Sequence, residues 1–78
     1  SLVVERAAQT LESCRLALAD DPFADEAVRL QMRAFVSLGR RTEARRRFDA
    51  YAEFLRRELD AEPDTETVAL ARQLLSEA

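Results

Sequence analysis

The densest charge in this sequence lies in the run Arg40-Arg41-Thr42-Glu43-Ala44-Arg45-Arg46-Arg47, where five arginines outweigh one glutamate. A positive run of this kind suits phosphate contact, each guanidinium neutralising a backbone charge and releasing its counterion. The competing reading is the outer face and first turns of a solvated helix, countered by the nearby acids Asp49 and Glu53. Arginine at a helix start opposes the helix dipole, so some of these side chains should point at something. The sequence beyond the run weighs against DNA. Residues 48–78 hold three arginines and eight acids, and no glycine-rich loop or aromatic platform accompanies the patch.

Other chemistry is thin. Without histidine, the common general base and the common zinc ligand are both missing. Cys14 is the single cysteine and lies on an apolar stripe, where a thiol is expected to be core rather than a nucleophile. One cysteine also forbids an internal disulfide framework and fits a reducing compartment. The acidic residues never gather as an acid–base pair in apolar surroundings, so paired-carboxylate chemistry is unsupported. The sequence therefore predicts no enzyme, no bound metal and no cofactor.

What must position these residues is a small helical scaffold. A chain of 78 residues allows one domain, because a chain this short buries only about 60% of its unfolded surface. A mean hydropathy of −0.31 with 35% charged residues is that of a soluble globular protein. No apolar run approaches the roughly 20 residues of a membrane helix, and no secretory segment opens the chain. A cytoplasmic location is the expectation. All twelve basic residues are arginine, which reads as a GC-rich coding bias rather than a recognition device.

Pro22, Gly39 and Pro63 cut the chain into four segments, each with a near-3.6 apolar period and none with the alternation of a strand. The first helix, about residues 2–19, places Val4, Ala7, Ala8, Leu11, Cys14 and Leu18 on one face. The second, about 24–38, enters through Asp21, Asp25 and Glu26, which suit the positive end of a helix dipole. Its apolar Ala27, Val28, Leu30, Met32, Phe35 and Leu38 wrap more than half the circumference, which predicts neighbours on both sides. Gly39 is the expected left-handed stop.

The third helix, about 41–59, carries Ala44, Phe48, Tyr51, Ala52, Leu55 and Leu59 at helical intervals, with the Tyr51 hydroxyl expected at the rim. The fourth, about 65–77, starts behind an Asp64 N-cap and buries Val68, Ala71, Leu74 and Leu75. Short loops force antiparallel neighbours, so the fold class is all-α: four helices stacked as antiparallel hairpins.

Internal self-similarity sharpens this. A tetratricopeptide frame of about 34 residues begun at Asp25 puts Val28, Met32 and Phe35 at its fourth, eighth and eleventh positions. Gly39, Ala44, Phe48 and Tyr51 then fall at the fifteenth, twentieth, twenty-fourth and twenty-seventh. The physical content is close packing: Ala44 lets two antiparallel helices approach, and Phe48 fills the gap one turn on. Met32 stands where the repeat normally has glycine or alanine, which predicts a wider crossing.

Read backwards, the frame puts Thr10, Cys14, Ala17 and Pro22 in a preceding repeat whose first helix is absent, which suggests a fragment of a longer protein. One flank of the first helix is then exposed and sticky, and self-association is expected. In the repeat's geometry Glu26, Arg29, Arg33, Val36 and Ser37 line the concave groove. Arg29 and Arg33, one turn apart, would form a fork for a partner carboxylate. The alternative is internal pairing of those arginines with Glu26, Asp25 or an acid of the fourth helix.

At the third helix the sequence leaves the general repeat. Arg56 replaces its closing proline, and the helix runs on through Leu55 to Leu59. The stretches Ala17-Leu18-Ala19-Asp20-Asp21-Pro22, Glu26 to Ala34 and Leu38-Gly39-Arg40-Arg41-x-Glu43-Ala44 resemble the bacterial transcriptional activator domain. So does the stretch from Tyr51 through Leu55-Arg56-Arg57-Glu58-Leu59-x-x-Glu62-Pro63-x-x-Glu66-Thr67, and the resemblance covers about residues 11–75. That family has glycine after the Glu-Leu pair, where this chain has Asp60.

The resemblance implies a tetratricopeptide-like segment of an antibiotic-pathway type of regulator, with the winged-helix DNA-binding domain outside this chain. The expected role is non-catalytic protein–protein interaction. The implied partner is the rest of the regulator or the transcription machinery, with no direct nucleic-acid contact, no membrane, and a homo-oligomer in prospect. Two other readings stay open: a small helical nucleic-acid binder using Arg40 to Arg47, and a repeat scaffold of an unrelated signalling protein.

Overall fold

Each helix begins and ends where backbone chemistry requires it. A computed structural model of the chain describes residues 1–76. Helix α1 spans Leu2–Asp20, and the Ser1 hydroxyl accepts from the Val4 N–H at its first turn. Helix α2 spans Asp25–Ser37 and starts without a side-chain cap, relying on Asp25 and Glu26 in its first turn. Helix α3 spans Arg41–Leu59 and α4 spans Thr65–Leu75. Asp64 caps α4 by accepting from the Thr67 N–H at 2.8 Å, a bond worth about 1 kcal/mol. The fourth helix ends at Leu75 rather than at residue 77, and Glu77 lies outside the described residues.

The two sharp stops use left-handed backbone. Gly39 has φ 75°, and the Gly39 and Arg40 N–H groups close back on the Val36 and Phe35 carbonyls at 2.9 and 2.8 Å. Asp60 has φ 51° at the end of α3, the place where glycine is expected from the family pattern. The 60–64 connector therefore does need the conformation that aspartate tolerates less well than glycine.

The fold is all-α, and α2 is its centre, packed against each of the other three helices. The α1–α2 and α2–α3 pairs run antiparallel, the latter bringing Asp25 to Tyr51 and Gln31 to Arg47. The core joins Val28 and Met32 of α2, Ala44, Tyr51 and Leu55 of α3, and Leu70, Ala71 and Leu75 of α4. Ala44 and Met32 are both fully buried there, so the alanine sits at the α2–α3 contact as its spacing predicts. Phe48 packs against the same core on its α4 side, beside Val68, Ala71 and Leu75.

Four apolar positions are more open than their periodicity predicts. Val4 and Ala8 of α1 are exposed, because α1 lies along α2, with Leu18 at its end reaching the core beside α3, and needs only a narrow buried face. Leu30, on the outer side of α2, and Leu59, in the last turn of α3, are exposed as well. Conversely, Thr67 is fully buried on a helix whose predicted stripe omits it.

Candidate functional site

The polar centre of the molecule grows from Asp25. Its place in the first turn of α2 aims the carboxylate at the gap between α3 and the start of α4. Oδ2 accepts the Tyr51 hydroxyl proton at 2.5 Å. Oδ1 accepts from the Thr67 hydroxyl at 2.7 Å and from the Asp64 N–H at 3.0 Å. Thr67 Oγ1 in turn accepts from Arg29 Nη1 at 2.9 Å. The same guanidinium pairs with Asp64 at 3.2 Å and with Glu66 at 3.1 Å.

Tyr51 is 1% exposed, so its hydroxyl lies inside the fold and not at the rim. Burial, reinforced by the bond to Asp25, pushes the phenol well above its ordinary value. Asp64 shows the opposite balance. Partial burial resists its ionisation, but the bonds from Thr67 and the Arg29 charge outweigh that and hold the carboxyl below its usual range. The Tyr51 and Thr67 hydroxyls each have an acceptor, and both residues are sealed from solvent. The arrangement is a clamp on three helices.

That clamp settles where the sequence-predicted groove residues lie. Arg29 faces α4 and is engaged by Asp64 and Glu66, the internal pairing rather than a fork with its neighbour. Arg33, one turn on, instead lines a depression between α1 and α2 with Val3, Arg6, Ala7, Thr10, Leu30, Ala34 and Ser37. Val36 packs against the core, and the Ser37 hydroxyl donates to the Ala34 carbonyl at 2.8 Å. Glu26 stands at the other end of the α1–α2 depression, with Ser13, Cys14 and Ala17 across from it. Cys14 is buried, and that burial raises its thiol above the ordinary value.

The arginine run does not make one surface. Arg45 and Arg47 leave opposite flanks of α3. Arg45 Nη2 donates to the Leu75 carbonyl at the end of α4, satisfying an otherwise orphaned helix acceptor. Arg47 Nε donates to Gln31 of α2 at 2.7 Å, its guanidinium 6.0 Å from the Tyr51 ring centre. Burial lowers the Arg47 value. Arg40 pairs with Glu43 at 3.6 Å, while Arg41 and Arg46 are exposed. The counter-charges expected at Asp49 and Glu53 are not the ones used: Glu53 pairs with Arg56. Among the described residues, no group of three or more His, Cys, Asp or Glu side chains could hold a metal ion. No helix among the described residues is long and apolar enough to cross a membrane.

The fold and this geometry can be set against known proteins. The family model of the bacterial transcriptional activator domain matches residues 1–75. This chain belongs to the bacterial transcriptional activator domain family. The match takes in the whole of α1, beyond the start at residue 11 implied by the motifs alone. Neither the curated proteins nor the solved structures gave a match. As a bacterial transcriptional activator domain, the chain is part of a bacterial transcriptional regulator.

Sequence reasoning missed the clamp. Asp25 reads as a dipole partner or a partner of the groove arginines, Tyr51 as packing and Thr67 only as the end of the family motif. Asp25 stands 26 residues from Tyr51 and 42 from Thr67, separations at which helical periodicity carries no information. One signal was present: a threonine at i+3 from an N-cap aspartate, inside an otherwise apolar stripe.

Proposed function

We propose that this chain is a non-catalytic protein–protein interaction module of its regulator, with DNA reading done by a domain outside residues 1–78. It acts in the cytoplasm, on the rest of the regulator or on the transcription machinery. The observation that carries this reading is the outward face of α2. There Leu30 is 41% exposed beside Arg33, and Arg33 has no ion-pair or hydrogen-bond partner among the described residues. The neighbouring Arg29 is already neutralised by Asp64 and Glu66, so Arg33 is the cation α2 leaves for something else. An apolar side chain next to an unpaired guanidinium suits a partner helix bearing an acid at the matching position.

The test uses the intact regulator. Arg33→Glu combined with Leu30→Asp should abolish transcription activation while leaving operator binding at wild-type affinity. Activation unchanged in that variant overturns the assignment of this face. Titration of duplex DNA with the 78-residue chain at low salt is the companion measurement, and the expected result is no binding.

A further inference from the structure

The face that α1 and α2 share extends beyond Arg33. Two depressions meet at Leu30 and form one trough along the α1–α2 seam. Val3, 55% exposed, and Leu30, 41% exposed, are its large apolar groups. The antiparallel pairing of the two helices gives the trough a charged polarity. Arg6 and Arg33 stand at the end where α1 begins and α2 finishes. Glu26 stands at the other end, beside Ser13, Cys14 and Ala17. None of Arg6, Arg33 and Glu26 has an ion-pair partner among the described residues.

We propose that this trough is filled by α1 of a second copy of the chain, lying antiparallel to α1 about a twofold axis near Thr10. The reading rests on the interaction-module function and names its first partner. Charge complementarity selects this occupant. A twofold at Thr10 brings Arg6 of each copy level with Cys14 of the other, and that is the level of Glu26. In the same register Val3 of each copy covers Ala17 of the other. By the twofold, Glu26 of the second copy comes level with Arg6 in the same way, at the end that also holds Arg33. Both ends of the trough are matched at once, and a twofold makes every contact occur twice.

The other helix that a repeat stack could offer is α4 of a second copy, seated head to tail in the trough. A stacked α4 would run parallel to α2, so Glu66 would meet Glu26 and Arg72 would meet Arg33. Like charges at both ends exclude that arrangement. Alanine, serine and threonine along the seam allow the two α1 axes to come within about 8–10 Å.

The experiment is sedimentation equilibrium of the 78-residue chain over a range of concentrations. The expected result is a monomer–dimer equilibrium. Arg6→Glu and Glu26→Arg should each weaken the dimer roughly tenfold, and the double exchange should restore it. Both positions are exposed or at the surface of their helices, and circular dichroism checks that the variants stay folded. A Thr10→Cys chain in a Cys14→Ala background should form an intermolecular disulfide at residue 10 on oxidation.

A chain that is monomeric at every concentration overturns the proposal. So does a dimer that the double charge exchange fails to restore. The function and this inference fail separately: a monomeric chain whose Arg33→Glu, Leu30→Asp variant still abolishes activation points to a different partner protein at the same face. A dimer whose disruption leaves activation untouched keeps the pairing and removes its regulatory role.

Discussion

The hydroxyl of Tyr51 donates to Asp25 across 2.5 Å, tying the middle of α3 to the first turn of α2. The same carboxylate receives Thr67 from α4, so one side chain fixes three helices at a single point. The loop ahead of α2 is pinned alongside, with Phe23 stacked on Phe54 at 5.2 Å between ring centres.

Removing either donor leaves the half-buried Asp25 carboxylate short of a partner. Tyr51→Phe should cost about 2 kcal/mol, the range for hydrogen bonds to a charged group. Thr67→Val should cost a similar amount, and Thr67→Ser much less, because serine keeps the bonding oxygen. The two losses share one acceptor and will not add, which a double-mutant cycle by urea denaturation will measure.

Stability should fall at alkaline pH. The Tyr51 phenol is raised in the folded chain, so its contribution is complete below the ordinary tyrosine value of about 10 and is lost as pH rises past it. Cys14, raised by burial, acts in the same direction from about pH 8.5 upward. The chain has no lysine, one tyrosine and no tryptophan, so tyrosinate absorbance follows this transition directly. Tyr51→Phe should remove the steeper, upper part of the loss.

At the acid end the sign reverses. Asp64 is lowered in the folded chain, so its stabilising effect is present above the ordinary aspartate value of about 3.9 and disappears as pH falls below it. Asp64→Ala should cost about 1 kcal/mol at neutral pH through loss of the α4 cap. The difference from the parent should vanish in strong acid, as read by thermal melts at stepped pH.

The two left-handed stops predict opposite outcomes. Asp60→Gly should stabilise the chain by about 1 kcal/mol, since glycine reaches φ 51° without the Cβ penalty. Gly39→Ala should destabilise it by about 1 kcal/mol through backbone strain alone, because the added Cβ would meet nothing within 4 Å. Chemical denaturation of the two variants side by side checks both signs.

Apolar spacing and three breakers determined the number of helices, their type and nearly all their ends. They also placed Ala44 at the α2–α3 contact and Asp64 at a cap, since those roles depend on residues within a few positions along the chain. A helix encodes which of its faces is apolar, but not which neighbour covers it. Only the packing decided that α1 lies along α2, leaving Val4 and Leu30 open, or that Arg45 and Arg47 part to opposite sides of α3. The clamp at Asp25 was beyond the sequence for the same reason: its three donors come from the hydroxyls of Tyr51 and Thr67 and the Asp64 N–H, and only antiparallel α2–α3 packing with α4 laid across brings them to one carboxylate.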